Sequence, residues 1–320
     1  MNKNQERIDL LRQEMQKEKI DMYLVPTADF HQSEYVGTYF KTRAWLSGFT
    51  GSAGTLLVTM DGAYLWTDGR YFIQAAKQLE GTGVTLMKMG EEGVPTVEEF
   101  AEQHFPEGGC LGCDGRTIHV EEGKAYQALA EKKGGSFLYD KDLADRIWTD
   151  RPLMSKEPVY LLDVKYAGKS REEKIADVRK AMKEAGADVH VISSLDDIVW
   201  LFNIRGNDIV YNPVVMSYVM LTMEQAHFYV QEEAVSEQVR EELEKAGVTL
   251  HPYFEIYEAV KGLKDTDKVL LEDICTNYTL YKSIPQKAEI ILQSNPAAIM
   301  KGQKNPVEME NIRIAHKKDA

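Results

Sequence analysis

Residues 43–75 read RAWLSGFTGSAGTLLVTMDGAYLWTDGRYFIQA, and this stretch decides how the first part of the chain folds. Residues 56–58 form an apolar run, and residues 64–66 form another. Between them, Asp61-Gly62 predicts a hairpin turn, because glycine accepts a positive φ. Thr67 and Asp68 then offer capping oxygens ahead of a helical apolar spacing. We therefore predict a strand, a hairpin, a return strand and the start of a helix.

Three glycines lie at the entry to this hairpin, at Gly48, Gly51 and Gly54. They do not form a phosphate-binding loop, because the Lys-Ser/Thr ending is missing and the segment leads into a strand instead of a helix. Backbone turns and close contact between strands are the better interpretation of these glycines.

The bulk composition describes a globular protein. A chain of 320 residues predicts two domains. The net charge of −13, with no basic run, argues against nucleic acid and membrane partners. Three cysteines are too few for a disulfide framework, and the polar N-terminus shows no secretory signal. We therefore expect a cytoplasmic protein.

The second half of the chain repeats the apolar pattern of the first half. The collinear counterparts are Ile8, Leu11 and Met15 with Ile175, Val178 and Met182, and residues 45–46 with residues 200–201, both Trp-Leu. A proline-bearing polar linker separates the copies at residues 148–158. We predict two tandem α/β domains, each a mixed sheet flanked by helices, at residues 1–155 and 156–303.

Four segments carry a resemblance to a known family. They are residues 45–55 (WLSGFTGSAGT), 66–72 (WTDGRYF), 148–152 (WTDRP) and 202–208 (FNIRGND). They resemble the N-terminal region of three-domain Xaa-Pro aminopeptidases (aminopeptidase P), members of the creatinase/prolidase group, although the family usually has leucine at the position of Ile204. The resemblance implies two creatinase-N-terminal-like domains. It also implies that residues 304–320 begin a pita-bread catalytic domain, so we expect a truncated chain.

The resemblance implies that the parent protein is a metalloprotease that releases the residue preceding a proline, using two divalent ions, for which manganese is expected. The family's ligand motifs are absent here, and the seven histidines are scattered singly along the sequence. We therefore expect no catalytic residue, no metal ligand and no cofactor in this segment, and no activity of this segment alone. An inactive binding scaffold of the same fold is the alternative. A prolidase or creatinase is disfavoured, because those enzymes usually carry a single N-terminal domain.

Arg70 is the main candidate for binding substrate. An arginine at a strand-to-helix turn presents fixed donors to a carboxylate or carbonyl, and in the family the arginine of this motif reaches toward the bound peptide. The alternative is a salt bridge to Asp68. Arg43, Asp68 and Arg205 are weaker candidates. The expected partners are proline-containing peptides and the chain's own catalytic domain, and a homodimer stays open.

Overall fold

The computed structural model describes residues 2–319, which divide into two compact units. The first unit extends to Met154 and also includes Asn277–Thr279. The second unit contains Ser155–Thr276 and continues from Leu280. Each unit is described by itself below. In the described part of the chain, no helix combines the length and the apolar character needed to cross a membrane.

The first unit alternates helices and strands along the chain. Its elements are α1 (Lys3–Glu18), β1 (Met22–Pro26), α2 (Thr42–Ser47), β2 (Thr55–Thr59), β3 (Ala63–Thr67), α3 (Phe72–Gln78), β4 (Thr85–Lys88), α4 (Val97–His104), β5 (Cys110–Cys113), α5 (Val120–Lys132), β6 (Ser136–Leu138) and α6 (Leu143–Ile147).

The strands of this unit form one mixed six-stranded sheet in the order β4-β3-β2-β1-β5-β6. Strand β1 pairs antiparallel with β2 and parallel with β5. The predicted hairpin is confirmed: Thr59 N donates to Gly62 O at 2.9 Å, closing the turn between β2 and β3. On α1, Ile8, Leu11 and Met15 are buried, as their helical spacing predicts.

Two local features differ from the sequence-based prediction. Helix α2 was not predicted; it ends where Gly48 adopts a left-handed φ of 81°. The helix expected after the hairpin begins with a short 3₁₀ turn at Gly69–Tyr71 before α3. The structural interpretation of the glycines holds at Gly54, where an added Cβ would lie 2.7 Å from Trp66 O.

The second unit has the same alternation and ends in two further helices. Its elements are β7 (Tyr160–Leu161), α7 (Val164–Ala167), α8 (Arg171–Ala185), β8 (Val189–Ile192), α9 (Leu195–Leu201), β9 (Ile204–Arg205), β10 (Ser217–Thr222), β11 (Ala226–Val230), α10 (Glu237–Lys245), β12 (Val248–Pro252), α11 (Glu255–Lys261), β13 (Lys268–Leu271), α12 (Tyr278–Ser283), β14 (Glu289–Leu292), α13 (Pro296–Gly302) and α14 (Pro306–Asp319). The first two residues of α12 are grouped with the first unit.

The second sheet has the order β12-β11-β10-β8-β13-β14, which is the topology of the first sheet strand for strand. A separate two-stranded sheet pairs β7 with β9. Helix α8 buries Ile175, Val178 and Met182, the counterparts of the three apolar residues on α1. The predicted fold class, two tandem α/β domains with mixed sheets and flanking helices, is therefore confirmed.

The duplication extends to a contact between a cation and a tryptophan, which is half-buried in the first unit and buried in the second. In the first unit, the Arg7 guanidinium lies 4.4 Å from the Trp45 ring centroid and donates to Trp45 O at 2.7 Å. In the second unit, Lys174 Nζ lies 4.2 Å from the Trp200 ring centroid and donates to Trp200 O at 2.9 Å. In both units a cation of the first long helix closes the end of the helix that carries the tryptophan.

Candidate functional site

The Asp68–Arg70 turn follows directly from the end of β3. Asp68 has extended backbone, and its carboxylate accepts a hydrogen bond from Arg70 N at 3.0 Å, which caps the 3₁₀ turn. The same carboxylate holds the arginine side chain at both oxygens: Arg70 Nε lies 2.9 Å from Oδ1, and Nη2 lies 2.9 Å from Oδ2. The salt bridge considered in the sequence analysis therefore exists, with bidentate geometry.

This ion pair lies at the surface. The Arg70 side chain is 71% exposed, and the Asp68 side chain is 36% exposed. The hydrogen bond from Arg70 lowers the pKa of Asp68 to about 2, and the Asp68 carboxylate raises the pKa of Arg70. Both groups are therefore charged at neutral pH. Asp68 engages Nε and Nη2, and the Nη1 amino group of Arg70 has no hydrogen-bond partner within residues 2–319.

Aromatic packing supports the turn from one side. The Arg70 guanidinium lies 5.3 Å from the Tyr71 ring centroid, and the Tyr71 hydroxyl lies 2.7 Å from Ser52 Oγ. The Tyr71 ring meets Phe49 edge-on at 5.8 Å. Gly51 leaves the space for both rings, because an added Cβ there would lie 2.2 Å from Phe49 and 2.9 Å from Tyr71. The glycine-rich segment therefore supports the residue beside Arg70.

The first unit contains a second Asp-Gly-Arg turn, which the sequence analysis missed. It follows β5 at Asp114–Arg116, and its geometry repeats that of the first turn, with Nε and Nη2 of Arg116 each 2.9 Å from the Asp114 carboxylate. Here the arginine is only 25% exposed, also pairs with Asp142, and covers the Phe30 ring at 4.3 Å. The guanidinium of Arg116 therefore makes further contacts within the first unit, whereas that of Arg70 is largely exposed.

Arg43 occupies a buried position in the first unit, with only 3% of its surface exposed. Its Nε donates to Thr27 Oγ1 at 2.9 Å, and its two amino groups donate to Phe49 O and Gly51 O at 2.5 Å. No carboxylate of residues 2–319 pairs with it, and burial lowers its pKa to about 10. The donors of Arg43 thus hold the glycine-rich segment, and this candidate lies away from solvent.

Arg205 lies on β9 of the second unit and is half-buried. Its Nη1 donates to Val199 O at 3.0 Å and to Ile204 O at 2.7 Å, and burial lowers its pKa. It lines a cavity of about 440 Å³ whose walls also include Lys174 and Glu308. Of the four candidates, the structure brings Asp68 and Arg70 into contact, and Arg43 contacts the segment that supports them.

The other chemistry-bearing residues fall into two groups. Cys110 and Cys113 are buried on β5, and burial raises the pKa of both thiols, which makes them unreactive. Two histidines that the sequence analysis described as single are in contact: His227 Nδ1 lies 3.0 Å from His251 Nε2. The register between the two paired strands brings these histidines together. The alternation of side chains along each strand was the only sequence signal for this contact. Within residues 2–319, no group of three or more His, Cys, Asp or Glu residues could hold a metal ion.

Comparison with known proteins defines the class of this two-unit chain. The family profile of the creatinase/prolidase N-terminal domain matches residues 7–141, and a second profile with the same description matches residues 150–308. The chain therefore belongs to the creatinase/prolidase N-terminal domain family and carries two such domains in tandem.

The similar full-length proteins are Xaa-Pro aminopeptidases. The chain is 38% identical over 98% of its length to a probable Xaa-Pro aminopeptidase P of Ajellomyces capsulatus, covering 53% of that protein, and 36% identical to one of Neurospora crassa, covering 48%. The X-prolyl aminopeptidase of Caenorhabditis elegans, described as a cytosolic enzyme with a di-nuclear active site, matches with a TM-score of 0.93 at 32% identity, over 98% of this chain and 53% of that one. The chain thus spans about half the length of these relatives.

Proposed function

We propose that this chain is the non-catalytic N-terminal region of a cytoplasmic, metal-dependent Xaa-Pro aminopeptidase, and that it contributes peptide contacts and shapes substrate access. The observation that carries the proposal is the outward-facing guanidinium of Arg70, held by Asp68 in a fixed orientation. The similarity to Xaa-Pro aminopeptidases over 98% of the chain supports the parent activity.

The described residues do not fit a di-nuclear metal centre. Such a centre needs several carboxylates and a histidine converging on two ions, and no group of three such residues is found between residues 2 and 319. The divalent ions, for which manganese is proposed, would polarise the scissile carbonyl and activate a water when bound to residues of the parent protein outside this chain. The peptide contact proposed here does not involve these ions.

The peptide contact follows from the chemistry of the turn. A peptide offers carbonyl oxygens and a terminal carboxylate, and the unpaired Nη1 group of Arg70 supplies two N–H donors for either. Asp68 fixes the side chain before the peptide arrives, so less rotamer entropy is lost on binding. Because the pair is exposed, its attraction for a charged terminus weakens as salt is added.

Peptide hydrolysis tests the proposal that this chain is non-catalytic and that the rest of the parent protein carries the activity. The 320-residue chain and a chain extended by the C-terminal half of the parent protein are each incubated with a short X-Pro-X peptide and Mn²⁺. We expect cleavage only by the extended chain. Cleavage by the 320-residue chain would mean that it contains an unrecognised catalytic site. If neither cleaves, the proposal fails in favour of an inactive binding scaffold.

A further inference from the structure

A pair of histidines bridges two neighbouring strands of the second unit, whereas the proposed peptide contact uses residues of the first unit. His227 lies on β11 and His251 on the edge strand β12, and the two strands run parallel. His227 Nδ1 and His251 Nε2 face each other at 3.0 Å. Tyr229 stacks on the His251 ring with centroids 4.9 Å apart, which fixes the plane of that imidazole.

The outward nitrogen of each ring has an oxygen beside it. His227 Nε2 lies 3.2 Å from Gln225 Oε1, and His251 Nδ1 lies 3.9 Å from a carboxylate oxygen of Glu255. Gln225 Oε1 favours the proton on His227 Nε2, which places the lone pair of the neutral His227 ring on Nδ1, facing His251. The Glu255 oxygen, at 3.9 Å, lies beyond hydrogen-bond distance and does not fix the tautomer of His251. A cation between the two facing nitrogens would bind the His227 lone pair and that of His251 Nε2 in the tautomer protonated at Nδ1.

We propose that His227 and His251 form a binding site for a divalent transition-metal ion such as Zn²⁺. Two nitrogen ligands at the usual Zn–N length of about 2.0–2.1 Å are separated by roughly 3.3 Å in tetrahedral coordination. The observed 3.0 Å requires the rings to part by only a few tenths of an ångström. Gln225 takes the outer position that normally holds the second nitrogen of a metal-bound histidine, and the Glu255 carboxylate lies near the corresponding nitrogen of His251.

The surroundings favour a cation with an open coordination sphere. Both rings are partly exposed, so water can complete the coordination beside the two protein ligands. Glu255 is 58% exposed and can turn to shorten its contact with His251 Nδ1. Two ligands are fewer than a structural zinc site uses, so we expect reversible binding in the micromolar range. Imidazole ligands favour Zn²⁺ or Cu²⁺ over Mg²⁺.

The test is calorimetric titration of the tag-free 320-residue chain with ZnCl₂, with MgCl₂ as the comparison ion. We expect saturable binding of one Zn²⁺ per chain and none of Mg²⁺. His227→Gln and His251→Gln should each abolish measurable binding. Gln225→Leu removes only an outer partner and should weaken binding by about tenfold. His104→Gln, which removes an exposed histidine of the first unit, is the matched control and should leave binding unchanged.

A second measurement uses the unmutated chain, so its result does not depend on whether the variants fold. In long-range ¹H–¹⁵N spectra, Zn²⁺ should shift His227 Nδ1 and His251 Nε2 and leave the nitrogens of His104 in place. Absence of saturable binding, binding that survives both single substitutions, or a shift at other histidines only would overturn the proposal. These measurements do not depend on peptide hydrolysis, so failure of the zinc proposal can be distinguished from failure of the proposed function.

Discussion

Replacing Arg43 by methionine should destabilise the first unit, because the buried guanidinium donates hydrogen bonds to the glycine-rich segment. Methionine keeps much of the side-chain volume but removes all donors to Thr27, Phe49 and Gly51. The Asp68–Arg70 ion pair does not contact Arg43 and should persist. The substitution therefore separates a structural role of Arg43 from the substrate-binding role considered for it.

The magnitude follows from two opposing terms. Three hydrogen bonds from a charged donor contribute roughly 1.5–3 kcal/mol each, or about 5–9 kcal/mol together. Against this, burial lowers the pKa of Arg43 from 12.5 to about 10, which corresponds to a desolvation cost of about 3 kcal/mol that methionine no longer carries. The lost hydrogen bonds outweigh the recovered desolvation, so the expected loss in the free energy of unfolding is about 2–6 kcal/mol.

The assay is urea unfolding followed by tryptophan fluorescence, with hydrogen exchange used to assign the change to the first unit. Arg43→Lys keeps the charge but reaches fewer acceptors, so it should fall between the wild type and Arg43→Met. Arg70→Met is the matched control at an exposed arginine of the same unit and should unfold near the wild-type midpoint. An Arg43→Met midpoint equal to that of the wild type would refute this reasoning.

Two further predictions concern one buried group in each unit. Burial lowers the pKa of Lys174 to about 8, so between pH 8 and 10.5 the unfolded chain binds more protons, and the free energy of unfolding rises with pH by up to about 3 kcal/mol from this lysine. Urea unfolding at pH 7 and pH 10 should show that rise in the wild type relative to Lys174→Met, and equal pH dependence in both would contradict it. Gly51→Ala should lower the free energy of unfolding, measured by thermal unfolding, by about 1–3 kcal/mol, because the added Cβ meets Phe49 and Tyr71. At Gly69 an added Cβ has no neighbour closer than 3.9 Å, so Gly69→Ala should be tolerated. A larger loss at Gly69 than at Gly51 would exclude this steric explanation.

The elements that could be predicted from the sequence are those with local signals. The hairpin at Asp61-Gly62 follows from one turn dipeptide, and the duplication follows from apolar spacing that both long helices repeat. Helix α2 was missed because it is six residues long and its N-cap, Lys41, makes no capping side-chain hydrogen bond. Short helices without such signals are set by tertiary packing.

The candidate site was only partly predictable for the same reason. Arg70 and Asp68 are two residues apart, so their ion pair could be considered from sequence alone. The acceptors of Arg43 are backbone carbonyls, which any residue type supplies, so no sequence pattern reveals its burial. The His227–His251 contact depends on the register of two strands, which becomes visible only when β11 and β12 are paired.

The most direct test of the central claim measures how Arg70 affects KM for an X-Pro-X peptide in the extended, Mn²⁺-loaded protein. Arg70→Ala should raise KM by about tenfold and leave kcat nearly unchanged. Asp68→Asn should cause a smaller rise, because the guanidinium remains but is held less firmly. Arg116→Lys, at the covered copy of the same turn, should leave KM unchanged. Unaltered KM and kcat in a folded Arg70→Ala protein would contradict the account.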